Sequence, residues 1–143
     1  MCQSSKPPGH LVSIHSEEEN NFVRKLAGDN NYKGAAWIGL TRNGTESDDW
    51  KWTDGSKVDF EKWYWYQPSG CCGRFDPLRC ASIYLDSQWT AKHPKPYWQS
   101  SGCNLVMHIF VCKRPSKKED RRPDCNCDRS TEKETKHFVM EKL

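Results

Sequence analysis

The chain has 143 residues, 35% of them hydrophobic, with a mean hydropathy of −0.96. That length suits one domain plus an extension, and no apolar run approaches the roughly 20 residues a membrane span requires. The formal charge of +3 belongs to the C-terminal part, since residues 1–112 hold 12 basic and 12 acidic side chains and residues 113–143 hold 10 and 7; a neutral body argues against a nucleic-acid surface, and mixed signs in the tail weaken a polybasic anchor.

The opening MCQSSKPPGH has no apolar core segment, so no signal peptide is expected within these residues. Residues 10–14 (HLVSI) alternate loosely and are β-branched, which predicts a short strand. Ser16 followed by three glutamates puts Glu19 at the third helical position, a capping box. Phe22, Val23 and Leu26 then share a helix face that Gly28 can end. Residues 37–40 (WIGL) predict a second strand. Asn43-Gly44 signals a turn, and with Thr45 it is also a glycosylation sequon. Trp50-Lys51-Trp52 alternates and Asp54-Gly55 turns again, a hairpin pattern. Residues 70–77 read as loop, 80–85 (CASIYL) as a strand, and HPKP at 93–96 as a break. Residues 105–112 (LVMHIFVC) are the most apolar run and predict the last core strand. The charged, proline-punctuated stretch after them predicts a solvated, disordered tail over 115–143. Short strands, one capped helix and many turns make an α+β domain.

Chemistry is concentrated in WYWYQPSGCC at 63–72, which has four aromatics and no carboxylate. Alternation places Trp65 on the face of Trp63, with Tyr64 and Tyr66 opposite. Such rings either pack locally or serve as faces for stacking on sugar C–H surfaces or anchoring a protein interface. Eight cysteines in a chain this short favour an oxidising compartment, and with seven tryptophans they support a lean core. The histidines at 10, 15, 93, 108 and 137 form no ligand pair at helical spacing. There is no nucleophile elbow, phosphate loop or paired acid placed for catalysis, and Asp48-Asp49 reads as a solvated turn.

HLVSI, SEEENNFV, WIGL, WKWTDG, FEKW and QPS, followed by Cys80, Cys103 and Cys112, together resemble the C-type lectin-like domain over residues 2–114. The resemblance implies that fold, stapled by disulfides Cys2–Cys112 and Cys80–Cys103. Loop-closure entropy gives about 3 kcal/mol for the shorter loop and up to about 5 kcal/mol for the longer. The family also has a strand and a helix ahead of the cysteine matching Cys2, so the expectation is an N-terminally shortened domain whose leader would hold any signal peptide. Cys71, Cys72, Cys125 and Cys127 remain. Pairing of the first two with the last two is the preferred arrangement, with intermolecular bridging as another. Zinc is a further use, but CC and CxC differ from the usual CxxC spacing.

Sugar-binding members hold a calcium ion through the residues flanking a loop proline, an acid shortly after it, and an Asn-Asp pair behind a tryptophan. Here the proline is Pro68, five residues after Trp63, flanked by Gln67 and Ser69; Leu78 stands where the acid is expected, and Trp98-Gln99-Ser100 replaces the Trp-Asn-Asp position. Gln67 matches an accepted ligand type; the other positions lack a carboxylate, whereas calcium takes six to eight oxygens, several of them charged. The expectation is therefore no metal, no cofactor and no catalysis. It is an extracellular, secreted recognition module with Tyr64, Trp65, Tyr66, Gln67, Ser69 and Gln99 as ligand contacts and Asn43 glycosylated. The partner is a glycan, bound without calcium, or alternatively a cell-surface or extracellular protein.

Overall fold

A computed structural model of the chain describes residues 2–4, 8–28, 34–44, 49–69, 77–85 and 96–114, and the backbone of 138–142. A 3-10 turn, Cys2–Ser4, is followed by β1 (His10–Leu11), α1 (Glu17–Gly28), β2 (Ala35–Arg42), β3 (Trp50–Trp52), β4 (Cys80–Tyr84), β5 (Trp98–Ser101), β6 (Ile109–Lys113) and β7 (Phe138–Lys142). The strands form one mixed sheet in the order β1-β6-β2-β4-β5, with β3 joined to β2 and β7 to β6. All pairs are antiparallel except β2 with β6, which run parallel at Trp37 and Phe110.

The helix begins where its cap predicts. Ser16 Oγ accepts the Glu19 N–H at 3.2 Å, and the Glu19 carboxylate accepts the His15 N–H at 2.7 Å. Three glutamates in the first turn complement the helix dipole. The buried face is Asn20, Val23 and Ala27, not the expected Phe22-Val23-Leu26. Phe22 is one position off that stripe and 46% exposed, while Leu26 packs only partly. Asn20 is fully buried and paired at both ends of its amide: Nδ2 donates to the Pro96 carbonyl at 2.7 Å, and Oδ1 accepts from Trp98 Nε1 at 2.8 Å. The helix is thereby fixed to β5.

Trp98 is the hub of the main core, with Trp52, Phe60 and Trp63 meeting it edge to face at 5.6, 5.8 and 5.8 Å between ring centroids. Along β2, Ala36, Ile38, Leu40 and Arg42 alternate inward. The glycine of WIGL has a steric cause: a Cβ at Gly39 would lie 2.6 Å from the Leu11 carbonyl and 2.8 Å from Thr53 Oγ1. Its backbone ties three segments, the Gly39 N–H donating to Val12 O at 2.9 Å and its carbonyl accepting from Thr53 N at 2.8 Å. Cys2 is bonded to Cys112 across 110 residues and Cys80 to Cys103 across 23, the two pairs the resemblance implies.

Several boundaries move. Only His10 and Leu11 of HLVSI form a ladder; Val12 continues by bonding to Val111 and Gly39. The last core strand starts at Ile109, and Leu105 and Val106 stand out at 54% and 82% exposure after the Cys103 turn. Strand β5 was not expected, because WQSS has no apolar alternation; polar contacts hold it, Ser82 and Ser101 hydroxyls meeting at 3.0 Å. Phe138–Lys142, placed by the sequence in a disordered tail, pairs along the whole of β6. Among the described residues no helix is long and apolar enough to cross a membrane.

Candidate ligand-recognition site

The aromatic stretch enters the sheet region at Trp63, which makes a single parallel bridge to Trp98. Trp98 N donates to Lys62 O at 2.7 Å and Tyr64 N to Trp98 O at 2.8 Å. No ladder continues past that point. Gln67 N donates to Tyr64 O at 2.9 Å, closing a turn in which Tyr66 takes a φ of 59°. The turn overrides the alternation. Trp65 does not share the face of Trp63: Trp63 is partly buried against the core, whereas Trp65 is 74% exposed and Tyr66 84% exposed. These two rings stack on each other, 4° from parallel with centroids 5.3 Å apart. Tyr64 turns inward, edge-on to Tyr84 and Tyr97 at 5.9 and 5.8 Å.

The Gln67–Pro68 peptide is cis. The Gln67 amide oxygen, the one metal-ligand type the sequence retains, is already engaged. It accepts from Ser69 N at 3.1 Å, Ser100 N at 3.0 Å and Ser100 Oγ at 2.7 Å. Gln99 is likewise occupied, with Oε1 accepting from the Tyr84 hydroxyl and Nε2 donating to Ser82 Oγ at 3.2 Å. Burial and the neighbouring Tyr64 raise the Tyr84 phenol above its ordinary value. Beneath the loop lies a residue the sequence reading missed. Arg42 is 3% exposed, with Nε donating to Leu78 O at 3.1 Å and Nη2 to Ser69 O at 2.9 Å. Its signal was available: a charged residue at the inward phase of β2. Among the described residues no three His, Cys, Asp or Glu side chains converge. Among the described residues, an amide oxygen already engaged and a buried guanidinium near it are not a donor set that fits calcium. Residues 70–76, 86–95 and 115–137, with Cys71, Cys72, Cys125, Cys127 and Asp76, lie outside the described residues. Asn43 is exposed, in a turn where Gly44 takes a φ of 85°.

The family model described as "Lectin C-type domain" matches residues 1–114. The chain belongs to the C-type lectin domain family. Snaclec B2 of Macrovipera lebetinus is 33% identical over 116 residues, which cover 81% of this chain and 64% of the relative. The chain thus spans less than two thirds of the length of that relative. One chain of the snaclec coagulation factor IX/factor X-binding protein of Echis carinatus is 41% identical over 82 residues, covering 51% of this chain and 60% of the relative. Among solved structures, the cow C-type carbohydrate-recognition domain of CD23, determined with a GlcNAc2Man3 oligosaccharide, superposes with a TM-score of 0.60 at 26% identity, covering 78% of this chain and 74% of that one.

C-type lectin domains are binding modules. The chain does bring Ser56, His15 and Asp59 into series, with Ser56 Oγ 3.2 Å from His15 Nε2 and His15 Nδ1 2.6 Å from Asp59. Ser56 gives its hydroxyl hydrogen to Asp54 at 2.6 Å instead. The group is a brace between the WKWTDG turn and the strand region: Asp54 also accepts from Ser13 Oγ at 2.6 Å and Ser56 N at 2.9 Å. Burial raises the Asp54 carboxyl, but the Ser13 and Ser56 hydrogen bonds and the Lys113 charge outweigh it and hold it below its usual value.

Proposed function

We propose that this C-type lectin domain is a secreted, extracellular recognition module that binds a protein partner through the Trp65–Tyr66 platform, without calcium at the loop. The observation that carries this reading is the division of labour in the loop. The amide oxygen of Gln67 and both polar atoms of the Gln99 side chain, which a sugar's hydroxyls would need, are spent on the fold's own hydrogen bonds, while two large rings stand in solvent. Exposed aromatics surrounded by satisfied polar groups suit a protein hot spot. The factor IX/factor X-binding relative supports a protein partner. A second reading, glycan binding by stacking on Trp65, draws support from the exposed ring face and from the similarity to the carbohydrate-recognition domain of CD23, determined in the presence of an oligosaccharide. Asn43 carries an N-glycan in this reading, and Cys71 and Cys72 pair with Cys125 and Cys127.

The test is a binding screen of the full chain against a glycan array and a panel of extracellular proteins, each with and without chelator. The protein reading expects a protein signal that survives chelation and drops at least about tenfold in W65A or Y66A, as loss of a hot-spot residue implies. A glycan signal that survives chelation but needs Trp65 would favour the second reading. Glycan signal abolished by chelator would overturn the calcium-independent mode altogether. Peptide mapping that found Cys125 and Cys127 reduced would remove the cysteine pairing.

A further inference from the structure

We propose that Arg42 is a built-in cation that organises the recognition loop, a positioning residue that makes a bound metal unnecessary there. The proposal rests on reading the loop as the recognition surface. Arg42 ends β2 on the inward phase and is almost wholly buried. Its guanidinium donates through Nε to Leu78 O and through Nη2 to Ser69 O, so one rigid fork joins two carbonyls nine positions apart in the chain. Its Cζ lies 4.9 Å from the centre of the Trp50 ring, which fixes the plane of the fork. The main chain reinforces the clamp, with Arg42 N and Thr41 Oγ1 both donating to Arg79 O at 2.9 Å.

Ser69 is held from both sides. Its carbonyl faces Arg42, while its N–H is shared between Gln67 Oε1 at 3.1 Å and Ser100 Oγ at 2.9 Å. One charged group thus propagates through Ser69 to Gln67 and Ser100, and so sets the base of the Tyr64–Gln67 turn that presents Trp65 and Tyr66. Ser69 and Leu78 are also two of the positions where the sequence lacks a calcium ligand. A doubly charged ion placed against a buried guanidinium would meet like-charge repulsion at low dielectric, so the fixed cation both supports the loop and excludes the metal. Lysine is not an equivalent, because a single ammonium cannot direct two parallel donors at two separated carbonyls.

Hydrogen–deuterium exchange of the full chain reads this without a ligand. In R42K and R42M, amides in peptides covering 64–69 and 78–79 should exchange at least about tenfold faster than in wild type, the loss expected of charge-assisted bonds. Amides of α1 keep their rates, and neither calcium chloride nor chelator changes the wild-type loop. Unchanged loop exchange in both variants would overturn the proposal. So would acceleration spread evenly over α1 and the loop, or slowing of the wild-type loop by calcium. Should R42M not fold, R42K and the calcium arm decide. A failed binding screen leaves these rates as they are, so the two readings fail separately.

Discussion

Two tryptophan triplets, Trp50-Lys51-Trp52 and Trp63-Tyr64-Trp65, look alike and end in opposite environments. In the first, both indoles are buried, at 6% and 3% exposure, with the lysine outside. In the second, one indole is half-buried and the other is 74% exposed. The difference is pairing. Strand β3 is laddered to β2 through Leu40, Thr41 and Arg42, so the pleat enforces alternation. Trp63 has a single bridge, and a turn begins at Tyr64. Alternation in sequence becomes alternation in space only where a neighbouring strand holds the backbone. The same contrast separates burial from exposure: the laddered indoles pack the core, and Trp65, beyond the last bridge, stands in solvent.

Matched truncations put the largest strain on this comparison. Trp52→Ala should lower the unfolding free energy by about 3–5 kcal/mol, the range for a buried aromatic, whereas Trp65→Ala should stay within about 0.5 kcal/mol of wild type. Chemical denaturation of both variants checks this; equal losses would erase the distinction. Next in size is the ladder's own support. Gly39→Ala forces a methyl against the Leu11 carbonyl and Thr53 hydroxyl, and should cost about 1–3 kcal/mol by overpacking. A thermal melt that matched wild type would show that β2 and the segments beside it can move apart.

The smallest effect is a pH dependence at the turn that closes β3. Asp54 has a carboxyl held below the ordinary 3.8, so it adds stability above that pH and loses it as acidification passes 3.8 and reaches the lowered native value. Thermal melts from neutral pH down to about pH 2 should fall more steeply below 3.8 for wild type than for Asp54→Asn. Parallel curves would mean that the Ser13–Asp54–Ser56 brace carries no charge-dependent stability.

The capped helix, the WIGL and WKW strands and the absence of carboxylates around Pro68 were legible in the residues, because capping, alternation and ligand chemistry are local. Even there, the helix face came out one position away from the apolar residues that suggested it. The burial of polar Asn20 was not legible, because the partners that satisfy its amide, Pro96 and Trp98, are 76 and 78 residues away. Strand β5 was hidden for the same reason, being serine-rich and paired along β4, with its serine hydroxyls bonded to Ser82 and Gln67 far along the chain.

By itself, the sequence determined the family resemblance, through that resemblance the two disulfide pairs, and the lack of carboxylates in register around Pro68. Only the tertiary structure decided that Arg42 turns inward beneath the loop, that Gln67 spends its oxygen on Ser69 and Ser100, and that Trp65 faces solvent. Those outcomes depend on which backbone atoms arrive beside one another from far along the chain. A charged or aromatic side chain takes its role from the groups that remain within reach once the main chain's own hydrogen bonds are made.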